Sequence, residues 1–229
     1  MTEKNNYQLL QDYLLDLQRV DNLERMDSLT AKLTDAATEV YPCISCKTGC
    51  YTCCTNASMP NVYAKEWQRV REYIKTLPEE TRTAIKEKAL SMIARKEDTL
   101  NFIHSVIHQK VTGEELSEFA QKVSVEMKGE SCPLHINGKC SVYEARPTKC
   151  RIFGSFSFVF ENRVQLLSCE SDTEKMQNYL KENKTRQLAL PYWNSFERKL
   201  VDFVFDEEEN HQMTIIPIWL KEDYESGKL

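Results

Sequence analysis

Glycine and proline are scarce in this chain, with 6 and 7 residues among 229, which excludes long flexible linkers. No apolar run approaches the roughly 20 residues that cross a bilayer, so no membrane-spanning helix is expected. The chain also lacks a basic surplus. Its formal net charge of -5 argues against nucleic acid or an anionic membrane surface as a partner. The first residues, Met1-Thr2-Glu3-Lys4-Asn5-Asn6, are polar, and no apolar run behind them suits an export signal. The expected location is therefore cytoplasmic, a reducing setting in which clustered thiols persist or bind metal.

Hydrophobic residues make up 41% and charged residues 28%, which suits one compact domain, with room for a helical appendage. Tyr7, Leu10, Leu14, Leu17, Val20, Leu23, Met26, Leu29, Leu33, Ala37 and Val40 recur at intervals of three and four. Such a stripe predicts one long helix, or two with a break, packed on the rest of its own domain. It also offers a surface for a protein partner. Pro42 ends that pattern, so residues 1–41 read as an N-terminal helical segment. Helical patterns return over 64–77 and from Pro78 to about Lys96, and Thr112-Gly113-Glu114-Glu115 opens another through Leu116, Phe119 and Val123.

Residues 129–150 have neither helical nor strand period and read as loop. Phe156, Phe158 and Phe160 alternate, Glu161-Asn162-Arg163 offers a turn, and Val164 and Leu166 follow. That pattern predicts a β-hairpin at about 153–167, bent near Gly154, its phenylalanines serving the core. Segments 173–182 and 192–205 read as helices, 215–220 as a short apolar stretch, and 221–229 as a polar, frayed tail. The fold class is mainly α with a small β-hairpin, α+β. Its expected division is 1–41, a cysteine-rich domain over 42–170, and a mostly helical 171–229 packed on it.

Nine cysteines are an odd number, which fits a disulfide framework poorly. One dense group holds Cys46, Cys50, Cys53 and Cys54; a second holds Cys132, Cys140 and Cys150, with Cys169 after the hairpin. Thiolates that hold metal must converge, and short turns at Gly49 and Gly138 would let them. Burial as small hydrophobes explains one or two cysteines, not four within nine residues. The eight are therefore the expected metal ligands, with cysteine-rich loops converging on a metal centre, and Cys43 reads as a spare thiol. Between Cys132 and Arg151 the cations Lys139, Arg146, Lys149 and Arg151 face Glu144 alone. A local positive field of that kind suits an anionic thiolate centre.

Cys46, Gly49, Cys50, Cys53, Cys54, Cys132, Pro133, Leu134, Gly138, Cys140, Tyr143, Arg146, Pro147, Cys150, Arg151 and Cys169 together resemble the YkgJ-type cysteine-cluster family, the CxxCxxCC domain. Glu66 sits where its members often carry a glutamate at the start of the following helix. The resemblance covers 46–169 and implies a zinc- or iron-chelating domain. One branch of the family is similar to flagellin lysine N-methylases that use S-adenosylmethionine, so the resemblance leaves such an enzyme as an alternative. No glycine-rich strand–loop–helix is present to cradle that cofactor.

Three readings follow. The chain is a metal-binding protein, an enzyme, or an interaction module with a structural zinc and a partner-binding N-terminal helix. The x3, x2 spacing of Cys46, Cys50 and Cys53 matches radical S-adenosylmethionine enzymes, but the alternating strands and helices of their barrels are missing. It also suits wrapping a cubane, which favours an iron–sulfur cluster over a zinc ion while leaving both open, since each accepts four cysteines. His104 and His108 stand at i, i+4 and read as helix-face histidines. His135, between two ligand cysteines, is the better nitrogen candidate.

Overall fold

A computed structural model describes residues 3–46, 49–55, 60–107, 118, 121–123, 125–160, 163–166, 170–204 and 213–229. The chain is mainly helical with small two-stranded antiparallel sheets, as expected. In order, the elements are α1 (Glu3–Gln18), α2 (Leu23–Val40), α3 (Thr52–Thr55), β1 (Asn61–Tyr63), α4 (Ala64–Thr76), α5 (Glu79–Ile107), β2 (His135–Ile136), β3 (Lys139–Cys140), α6 (Thr148–Ile152), β4 (Ser157–Phe160), β5 (Arg163–Leu166), α7 (Glu170–Glu182), α8 (Trp193–Val204), β6 (Met213–Ile215) and α9 (Ile216–Glu225). They fall into two compact units, each drawn from two stretches of chain: 1–50 with 150–205, and 51–149 with 206–229. These lines differ from the expected division at 41 and 170, because residues far apart in sequence complete each unit.

In the first unit the N-terminal stripe forms two helices. Asn22 caps the second, its side chain accepting from the Arg25 amide at 2.9 Å. Leu10, Leu17, Met26, Leu33 and Ala37 are fully buried, so most of the stripe is core, although Tyr7 stays exposed. The β4–β5 hairpin pairs Ser157 with Leu166 through Phe160 with Arg163; its turn, Glu161-Asn162, lies outside the described residues. Phe156 is fully buried and meets Trp193 and Phe196 edge-on, at 6.4 and 5.8 Å between ring centres, as expected for a core residue. Arg151 Nε lies 3.5 Å from the carboxylate of Asp27.

In the second unit β1 pairs with β6, Asn61 opposite Ile215 and Tyr63 opposite Met213. Val62, Trp67, Val70, Ile74, Ile85, Leu134, Ile216 and Leu220 pack into one core. Trp67 stacks on Trp219 at 6.2 Å and donates Nε1 to Asp223 at 2.7 Å, while Arg71 reaches the same carboxylate at 3.1 Å. That pair corrects the expectation of a frayed tail. The helix α9 runs to Glu225, and Asp223, 2% exposed, anchors it from inside.

The helix expected to stop near Lys96 instead continues to Ile107 past a non-helical Lys96 (φ -130°, ψ 20°). His104 bonds Thr214 Oγ1 at 2.8 Å through Nδ1, whereas His108, the expected helix start at 112–115, Leu116 and Phe119 lie outside the described residues. The region 129–150, expected as loop, holds the short β2–β3 hairpin. It turns on Asn137 (φ 51°) and Gly138 (φ 74°), the left-handed pair that a tight two-residue hairpin demands. A 3₁₀ turn at Tyr143–Ala145 leads on to α6.

Candidate metal centre

The one-turn helix α3 carries Cys53 and Cys54, and main-chain bonds bring the second cysteine group to it. The Cys132 amide donates to the Cys54 carbonyl at 2.8 Å, and the His135 amide to the Cys132 carbonyl at 2.9 Å. Across the β2–β3 ladder Cys140 faces His135. Cys53, Cys54, Cys132 and Cys140 thus come from segments almost eighty residues apart in sequence and lie together in the second unit.

Their protons are shared unevenly. The Cys54 sulfur is within hydrogen-bonding reach of those of Cys140 and Cys53, and these contacts with burial hold its thiol far above the ordinary range. The same hydrogen bond pulls Cys53 down to about 7 against the effect of burial, with help from the Arg146 charge. Cys140 is lowered in the same way, first by Cys54. Cys132 is pushed up to about 12 by burial. None of these four is in a disulfide. The group is therefore two sulfurs inclined to thiolate and two inclined to thiol, a donor set of soft character.

Two cations stand over it. Arg146 lies 3.6 Å from the centre of the Tyr143 ring and donates Nε to the Tyr143 carbonyl at 3.2 Å, while Arg69 donates to its own carbonyl at 3.1 Å. So fixed, its charge favours the thiolates of Cys53 and Cys140. The other cation is Lys88 of α5, whose Nζ donates to the His135 carbonyl at 2.7 Å and whose charge acts on Cys132 and Cys54. Sequence reading missed Lys88, and no local signal would have found it. Of the cations that were expected, Lys139 is exposed and Arg151 pairs with Asp27.

Glu66, buried at 1% exposure, splits its carboxylate between two amides. One oxygen accepts from Tyr63 at 3.3 Å at the start of α4, the other from Thr148 at 2.7 Å at the start of α6. His135 stacks on Tyr51 at 5.1 Å, and its Nε2 is buried with no hydrogen-bond partner among the described residues. Burial lowers its pKa, and neighbouring Lys88 lowers it further.

Of the remaining expected ligands, Cys46, Cys50 and Cys150 belong to the first unit. Gly154, at φ +88°, touches Cys46 so closely that a Cβ built there would stand 2.4 Å from the Cys46 Cβ and 3.1 Å from its sulfur. The bend expected at Gly154 is present. Thr38 Oγ1 donates to the Cys46 carbonyl at 2.8 Å, and the Ser45 amide donates to buried Asp172 at 3.0 Å. Cys50 and Cys150 are half-buried, and Cys169 lies outside the described residues. Cys43 is 5% exposed, and burial raises its thiol pKa, the behaviour of a small core hydrophobe.

Among the described residues, no three cysteine, histidine, aspartate or glutamate side chains already stand as a metal-holding group. In the second unit the Cys53, Cys54 and Cys140 sulfurs meet through hydrogen bonds with Cys132 beside them, and closing on an ion at about 2.3 Å would require them to draw inward. The chain matches no family model, no characterised protein and no solved structure, so the resemblance to the YkgJ-type family rests on its motif residues.

Proposed function

We propose that the chain binds a thiolate-held metal centre whose nucleus is Cys53, Cys54, Cys132 and Cys140. The observation that carries this is the meeting of four thiols from two distant segments under two cations. A tetrathiolate centre needs both sulfur donors and compensating positive charge. Cys46, Cys50, Cys150 and Cys169 are the other expected ligands, and the motif's resemblance to a chelating family points to metal as well.

The contacts of Cys54 favour iron–sulfur over zinc. Adjacent cysteines cannot both ligate one tetrahedral ion without a strained ring, so one should turn away from a single zinc. Here Cys54 reaches the sulfurs of both Cys53 and Cys140, an arrangement that suits neighbouring irons.

The test is protein purified without air, with its absorption spectrum and metal content. A brown protein with broad absorption near about 400 nm, bleached by dithionite, is expected from thiolate-bound iron. Serine at Cys53, Cys132 or Cys140 should remove the metal and lower stability, because metal affinity is coupled to folding, whereas Cys43→Ser should leave the metal in place. Colourless protein carrying about one or two zinc ions would transfer the proposal to zinc. Metal-free protein whose stability ignores both iron and zinc would end it.

A further inference from the structure

We infer that Lys88 is a positioning residue for the thiol centre: it clamps the hairpin that presents Cys132 and Cys140 and supplies charge that a four-thiolate centre needs. This rests on the proposed metal-binding reading and names a part of that site outside the cysteine motif.

The side chain's place on α5 is the first argument. Ile85, Ala89 and Met92 are buried on the core side of this helix, at 0%, 0% and 1% exposure. Lys88 stands three residues after Ile85 and four before Met92, so its side chain leans toward that face. A lysine there loses hydration, and burial indeed depresses its pKa. For packing alone, leucine or methionine would serve at no such cost. Lysines at the edge of a core ordinarily extend their ammonium into water; this one donates to the His135 carbonyl at 2.7 Å.

The second argument is what surrounds the ammonium. As thiolates of a metal-loaded centre, Cys132 and Cys54 would join the Glu130 carboxylate in favouring its charged form. His135 lies between Cys132 and Cys140, so the bond to its carbonyl fixes the strand on which the second pair of thiols depends. Four thiolates around zinc, or around an oxidised four-iron cubane, leave two negative charges. Arg146 acts on Cys53 and Cys140 and Lys88 on Cys132 and Cys54, so together the two cations address all four sulfurs.

Lys88→Met and Lys88→Arg test this in the full chain. Cobalt(II) serves as the probe, read by its thiolate charge-transfer bands and by competition with a chelator. Removing an outer-shell partner typically weakens metal affinity about 10–100-fold, and Lys88→Met should fall in that range while Lys88→Arg stays near wild type. In metal-free protein, amide exchange over 132–140 should quicken in Lys88→Met and not in Lys88→Arg, with the circular dichroism of both unchanged. Wild-type affinity and exchange in Lys88→Met would overturn the inference. Equal weakening by Arg and Met would overturn its charge component. Wild-type protein that binds no cobalt, zinc or iron would instead overturn the metal reading, and the exchange arm would still judge the clamp.

Discussion

Alanine in place of Gly154 should be among the most damaging single-methyl additions to this chain. Gly154 has φ +88°, where a side chain costs about 1–2 kcal/mol. The new methyl would sit 2.4 Å from the Cys46 Cβ, against about 3.5–4.0 Å for two carbons at rest. Something must move by more than about 1 Å, and overpacking of that kind costs about 1–3 kcal/mol. The sum is about 2–5 kcal/mol, or a fall in Tm of about 4–20 °C for a chain of this size. Gly129 is the control: its φ is +82°, and nothing lies within 4 Å of the Cβ it would gain. Gly129→Ala should show the backbone cost alone, about 1–2 kcal/mol. Adding Cys46→Gly to Gly154→Ala removes the colliding carbon and should return the difference between the two alanine variants. Differential scanning calorimetry on all four proteins is sufficient. Equal losses at both glycines, or no relief from Cys46→Gly, would refute the close approach.

Asp223→Ala should cost about 3–5 kcal/mol in urea unfolding, because it strands Arg71 and the Trp67 indole in a buried site; Glu79→Ala, which breaks only the exposed pair with Arg82, should cost under about 1 kcal/mol. A loss below that level at Asp223 would mean the carboxylate is not what holds α9. His135, with its folded pKa depressed below 6.5 by burial and by Lys88, binds a proton more readily when unfolded. Metal-free protein should therefore lose stability as pH falls below about 6.5 toward the folded pKa, and His135→Gln should flatten that dependence in Tm measured across the range. A wild-type slope of opposite sign would refute it.

The helices were legible because their cores are periodic: α4 begins and ends within a residue of its expected limits. Lys96 marks where periodicity stopped being enough, since a helix can pass a non-helical residue when both halves bury apolar faces, as Met92 and Leu100 do. The β2–β3 hairpin was readable from Asn137-Gly138, but its strands are only two residues each and leave no alternation to notice. The tail misled because Asp223 looks like a surface residue until Trp67 and Arg71 are known to face it. For the candidate site, spacing singled out eight cysteines but did not show which of them come together. Cys53 and Cys54 meet Cys132 and Cys140 through the bond from the Cys132 amide, a contact between distant residues that spacing does not encode. Lys88 was invisible for the same reason.

The crossing of the chain between its two units bears on how the protein is made. The first unit takes residues 1–50 and then waits for 150–205, and the second cannot pair β1 until β6 is present. At about 5–20 residues per second, translating the 99 residues of 51–149 takes about 5–20 s. During that interval Cys46 and Cys50, and then Cys53 and Cys54, are made ahead of the chain that completes their units. Newly made chains would depend on a thiol-reducing environment, or on early metal capture, before the fold can protect them. Truncation at 50 or 150 would leave neither half able to finish.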